Sequence, residues 1–155
     1  MSLTVEPVPA PTPEAKQLLA ELDQILGAAY EPEQRHGLSI EQLFQPDNRF
    51  FIARLNGEAV GCAGVALFGD YAEVKRMYTR EAARGRGVGK ALLARIEEEA
   101  LESGRRVLSL ETGVHQAAAI GLYERRGFRQ RGPFGHYADL APLRIATSVF
   151  YEKML

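Results

Sequence analysis

The sequence predicts a single α/β domain: one mixed, mostly antiparallel sheet of about six to seven strands, flanked by about four helices. Three observations predict it. Residues 50–79 hold three β-rich runs joined by tight turns, and residues 107–128 alternate strand with helix. Apolar residues recur at helical spacing in two long segments, 13–29 and 88–101. A chain of 155 residues, 46 % of them hydrophobic, is long enough to bury one substantial core.

Each element has its own signal. Residues 6–13 hold four of the eight prolines, so this stretch allows at most a short edge strand and an extended lead-in. Thr12 suits a helix N-cap, with Pro13 at the first helical position and Glu14 in the first turn. The helix carries Leu18, Leu19, Leu22, Ile25, Leu26 and Ala29 on one face, and Pro32 and Gly37 end it. Residues 39–44 suit a short helical turn. A strand at 50–55 runs into Asn56-Gly57, the dipeptide of a two-residue hairpin turn, and the return strand is 59–68. Gly69-Asp70 turns the chain into a third strand, 72–79. There Val74 and Met77 cannot both face inward without a change of parity, which predicts a β-bulge near residues 76–78. Such a bulge would splay the strand at 73–79 from the strand at 107–111 and open the sheet between them. A helix beyond residue 88 presents Val88, Leu92, Leu93, Ile96, Ala100 and Leu101, and Ser103-Gly104 stops it. A helix over 116–126 ends at Gly127; strands follow from 128 and at 147–153, separated by the loop Gly132-Pro133-Phe134-Gly135.

Composition excludes several functions. A net charge of −1 supplies no basic field for nucleic acid or an anionic membrane. No apolar run approaches the roughly 18 residues of a membrane span, and the N-terminus lacks a charged-then-apolar leader. Cys62, the one cysteine, has no internal partner and apolar neighbours, so it reads as a buried thiol in a reducing compartment, the cytoplasm. His36, His115 and His136 show no ligand spacing, and no metal site is expected.

Chemistry concentrates at Arg84-Gly85-Arg86-Gly87-Val88-Gly89-Lys90, between a strand and a helix start. Glycines let a backbone approach a ligand closely, and the free N–H groups of a first helical turn favour an anion. Arg84, Arg86 and Lys90 add positive charge, so the loop is a phosphate or pyrophosphate site. A nucleotide P-loop is excluded because Gly85 to Gly89 is one residue short and Ala91 stands where the metal-binding hydroxyl belongs. The dinucleotide fingerprint fails because the spacing is G-x-G-x-G and a hairpin leads into it.

These residues resemble the GNAT superfamily of N-acetyltransferases. The loop Arg84-Gly85-Arg86-Gly87-Val88-Gly89 matches that family's pyrophosphate pattern in full. The stretch from Gln116 through Ala119 and Tyr123 to Gly127-Phe128 matches its next helix, with Gln116 in place of a leading Asn. Leu110-Glu111-Thr112-Gly113, together with Pro133-Phe134-Gly135 and Tyr137, resembles a bacterial branch. The resemblance covers residues 50–154 well and the first 45 by element order alone. It implies acetyl-CoA as cosubstrate, no metal, and transfer of the acetyl group to the primary amine of a small molecule, an amino acid or a peptide N-terminus. A non-catalytic acyl-CoA-binding or sensing module and a protein acetyltransferase remain alternatives. A homodimer is the family habit.

By the same resemblance, coenzyme A would lie in the splay against Met77, Tyr78 and Thr79, with its diphosphate on residues 84–90. Gln116, Ala119, Tyr123 and Arg126 would line its path. Acyl transfer needs a neutral amine, a stabilised oxyanion and a protonated leaving thiol. Tyr123 matches the family's proton donor to the thiolate. Glu73 and Glu111 are the candidate bases, with a water chain as a third route. Arg76, Thr112 and Tyr137 are the candidate substrate contacts; Arg76 would meet a carboxylate and Tyr137 the acceptor mouth.

Overall fold

A computed structural model describes residues 1–155. Seven strands form one sheet in the order β1-β2-β3-β4-β5-β7-β6. They are β1 (Leu3–Pro7), β2 (Asn48–Leu55), β3 (Glu58–Leu67), β4 (Ala72–Thr79), β5 (Val107–Gly113), β6 (Arg129–Arg131) and β7 (Ser148–Met154). Four α-helices accompany them: α1 (Pro13–Ala29), α2 (Ile40–Leu43), α3 (Val88–Glu102) and α4 (Ala117–Arg125). Every strand pair is antiparallel except β4 with β5, so the sheet is mixed and mostly antiparallel, as expected. No helix is long and apolar enough to cross a membrane.

Local signals act where the sequence places them. Thr12 Oγ1 accepts from Ala15 N at 3.1 Å, satisfying one orphan donor of α1. Asn56 and Gly57 adopt φ of +52° and +86°, the left-handed pair that a two-residue hairpin turn requires. Gly104 and Gly127, both with positive φ, stop α3 and α4. The strand β1 precedes most of the prolines and pairs β2 as an edge.

The helix faces narrow from their expected width. Ala15, Leu18, Leu19 and Leu22 of α1 are buried, whereas Ile25 is 40 % exposed. In α3 the buried set is Val88, Leu92, Leu93, Ile96 and Ala100; Leu101 is 48 % exposed because it sits one residue, about 100° of helical rotation, off that stripe. The main core packs α3, with Tyr123 of α4, against one sheet face that includes Leu108 and Leu110 of β5, and α1 with α2 covers a second cluster around Phe50, Ile52 and Cys62.

Two features of β4 shape everything that follows. Cys62 pairs Tyr78 and Gly64 pairs Lys75, so Arg76 and Met77 together oppose Ala63 in a β-bulge. The extra residue changes the strand's parity, and Val74 and Met77 both reach the main core. On the other edge, β4 meets β5 only at Ala72–Leu108 and Glu73–Ser109, after which the two strands diverge. The strand β5 itself runs on through Thr112 and Gly113, beyond residue 111, because β7 continues to pair it.

Candidate active site

Divergence of β4 from β5 leaves a cleft with a volume of about 100 Å³. Met77 and Arg76 line it from β4, Glu111 and Thr112 from β5, and Gln116, Ala119 and Tyr123 from α4 and its N-cap. Leu22 and Leu26 of α1 and the segment after that helix close it from a third side. Residues distant in the chain thus share one wall because the sheet fails to pair.

Tyr123 is 4 % exposed and packs edge-on against Phe128, 5.7 Å between ring centroids. Burial, reinforced by the negative charge of Glu111, raises its pKa above the phenolic value, so the hydroxyl keeps its proton. Desolvation likewise raises the pKa of Glu111; the hydrogen bond that Ser148 Oγ donates to its Oε2, at 2.6 Å, and the charges of His36 and Lys75 oppose this in part. A carboxyl with a raised pKa and a phenol that keeps its proton thus line one cleft.

The loop of residues 84–87 leads into α3, and no residue of 84–90 lines the cleft itself. Gly85 and Gly87 have φ of +78° and +81°, and no atom lies within 4 Å of where a side chain on either would begin. Gly87 is the N-cap of α3, a helix of 15 residues with no acidic residue in its first turn. Arg84, Arg86 and Lys90 are exposed, and none takes part in an ion pair of the chain. Bare amide donors, open space and uncompensated cations fit a diphosphate. Gly89 has a different role: a Cβ there would come within 2.7 Å of Leu122 Cδ2, so it permits close packing of α3 on α4. Val88 is buried beneath the loop.

Other candidates lie elsewhere. Glu73 is 1 % exposed and does not line the cleft; its Oε2 accepts from Lys75 Nζ at 3.0 Å and from Tyr137 OH at 2.6 Å. Tyr137 is fully buried against Phe134 and Phe150 rather than at the acceptor mouth, because its hydroxyl also accepts from Lys75 at 2.9 Å. An ion pair sealed this way is held by mutual compensation, which removes Glu73 from contact with solvent. The side chain of Tyr78 turns toward α1, donating to Glu21 Oε1 at 3.0 Å, which leaves only its backbone for a ligand. Thr79 is half-buried at the end of β4, and Arg126 caps α4 with its Nε buried and unpartnered.

Sequence reasoning missed the segment after α1, which supplies Tyr30, Arg35, His36 and Gly37 to the cleft. Tyr30 OH accepts from His115 N at 3.0 Å, and a side chain at Gly113 would run into the Tyr30 ring. This glycine therefore lets the end of α1 dock onto β5. Arg35 and His36 beside Gly37 in a helix break were the available signal, but no periodicity marks them.

Comparison with known proteins gives the same answer as the geometry. The sequence model of the Acetyltransferase (GNAT) family matches residues 17–128. An IAA acetyltransferase of Azospirillum brasilense is 48 % identical over 141 residues, covering 90 % of this chain and 89 % of that protein. A Klebsiella pneumoniae protein, crystallised as a candidate acyl-CoA N-acyltransferase, superposes with a TM-score of 0.82 at 34 % identity over 99 % of this chain and 97 % of its own. An Elizabethkingia anophelis GNAT acetyltransferase with acetyl-CoA bound shares the fold, at a TM-score of 0.70 and 23 % identity, over 99 % and 98 % of the two chains. A splayed sheet, a cationic glycine loop at a helix N-terminus and this level of identity together make the chain an acetyltransferase of the GNAT family.

Proposed function

We propose that the protein transfers the acetyl group of acetyl-CoA to the primary amine of a small molecule, an amino acid or a peptide N-terminus, by direct attack of the amine on the thioester. One observation carries this reading: Glu111 and Tyr123 line the same cleft, at the place where β4 and β5 part. Residues 84–90 would hold the diphosphate, and the unpaired edge of β4 around Met77–Thr79 would receive the pantetheine as an added strand.

In the reaction, a C–N bond forms as the C–S bond breaks, and the amine loses a proton. Glu111 is the better-placed acceptor for that proton, because Glu73 is sealed behind Lys75 and Tyr137. Its raised pKa brings it closer to the ammonium it must deprotonate, improving proton transfer over an ordinary carboxylate. Tyr123 faces the departing sulfur. Its own raised pKa exceeds that of a thiol, so its contribution is a hydrogen bond to the thiolate, with the final proton arriving from solvent.

Release of free thiol from acetyl-CoA, followed across a panel of primary amines, tests the proposal. Amine-dependent release is expected. Tight coenzyme A binding with no release on any amine would instead identify a binding or sensing module.

A further inference from the structure

The cleft contains more cationic groups than acetyl transfer requires. Three cationic side chains line it, Arg35, Lys75 and Arg76, against one carboxylate, Glu111. Lys75 is accounted for: Glu73, Tyr137 and the His36 carbonyl take its three protons. The two arginines are accounted for only in part. Arg76 has a side chain only 7 % exposed; its Nη2 reaches Asp23 at 2.7 Å and the Leu19 carbonyl at 3.2 Å, yet its buried Nε has no partner. Arg35 forms no ion pair at all, and its Nε is also buried and unpartnered.

The chain is built to hold Arg76 there. It adopts φ +55° in the bulge, a left-handed conformation that a non-glycine residue adopts only when its surroundings enforce it. Gly37 gives it room, since a Cβ at that position would come within 2.8 Å of Arg76 Nη1. Strained backbone and two buried guanidinium donors without acceptors are costly to maintain in a fold that has no use for them. A carboxylate satisfies such donors with short, charge-assisted bonds.

We propose that the acceptor amine carries a carboxylate, held in this cleft by Arg35 and Arg76, so that the substrate class is an amino acid or a peptide with its free C-terminus within reach. The inference rests on the acetyl-transfer reading of the same cleft and narrows it. An acceptor of this class is complementary end to end: its ammonium meets Glu111 while its carboxylate meets the arginines. Leu22, Leu26 and Met77 leave an apolar surface for the rest of the molecule.

The test compares matched acceptors: the twenty protein amino acids and a set of dipeptides, each beside its C-terminal amide and its decarboxylated amine. Thiol release is read for the wild type and for Arg35→Gln, which leaves the bulge and the Asp23 contact intact. At least one acid is expected to be acetylated with kcat/KM about 10- to 100-fold above its amide, the size of a lost charge-assisted bond. Arg35→Gln should raise KM for the acid by a similar factor, a loss at least several-fold larger than any it causes with the amide. Amides or plain amines used as well as the acids, or an Arg35→Gln loss equal on both, would overturn the carboxylate site and leave acetyl transfer standing. If no amine is acetylated, calorimetry of the same acids with the coenzyme A-saturated protein decides. Heat that disappears in Arg35→Gln supports the carboxylate site although transfer fails, and no heat overturns it.

Discussion

Replacing Gly87 by valine separates the loop's fold from its ligand. Gly87 is left-handed at φ +81°, and an L-residue there costs about 1–2 kcal/mol, with a β-branched one toward the upper end. No atom lies within 4 Å of the new Cβ, so no clash adds to that figure. For a chain of this size about 2 kcal/mol lowers Tm by roughly 4–8 °C. Coenzyme A at 100 times its Kd stabilises a protein by about 2.7 kcal/mol, or roughly 5–11 °C on the same scale. Thermal unfolding with and without coenzyme A should therefore show a modest loss of Tm in Gly87→Val and no ligand-induced rise. Gly57→Val is the control: it shares the positive φ, at +86°, and the open surroundings, but sits in the β2–β3 turn. It should lose the same stability and keep the full ligand shift. A Gly87→Val protein that coenzyme A stabilises like the wild type would refute the diphosphate site. Collapse of its Tm by 20 °C would refute the claim that the position is sterically free.

Further outcomes follow from the cleft and the core. Tyr123→Phe removes the hydrogen bond to the developing thiolate and should lower kcat about 100-fold with little change in coenzyme A affinity, and an unaltered kcat in stopped-time assays would exclude it from the reaction. Glu111 acts as a base only when ionised, and burial raises its pKa above 4.5, so kcat/KM should fall on the acid side with a midpoint above that value. Glu111→Gln should abolish this limb; survival of the limb would assign it to another group. The native state also holds the Glu111 proton more tightly than the unfolded chain does. Its contribution to stability is therefore full below pH 4.5 and lost as pH rises through the native pKa, a slope the Gln variant should lack. Burial pushes the Cys62 thiol up to about 12, leaving about one thiolate in 10⁴ at pH 8. Thiol reagents should modify it only after unfolding, which also keeps it silent in thiol-release assays; rapid labelling of the folded protein would contradict the burial.

Much of this molecule was legible in the chain because the signals are local. Asn56-Gly57 needs only its own backbone preference to turn a hairpin, and Thr12-Pro13 only its own side chain and ring to start α1. The bulge was readable too, since Val74 and Met77 are an odd number of residues apart and both apolar. The glycine loop at the start of α3 was legible as well, because its left-handed turns at Gly85 and Gly87 need no distant partner. Where the reading of helix faces went wrong, at Ile25 and Leu101, the apolar stripe was wider in the sequence than the surface available to cover it.

The acceptor side was not legible, and the reason is combinatorial. Glu73 and Glu111 are equally plausible carboxylates as letters; only the fold brings Lys75 and Tyr137 onto one of them and Ser148 onto the other. Arg35 and Arg76 are 41 positions apart in sequence, and they line one cleft because a strand bulges, Gly37 yields space and Gly113 admits Tyr30. Chain-local preferences determined the elements, the sheet's weak junction and the glycine loop that opens α3. Which buried charge is compensated and which keeps an unpartnered donor depends on long-range contacts, and those exist only once the sheet has closed on one side and failed to close on the other.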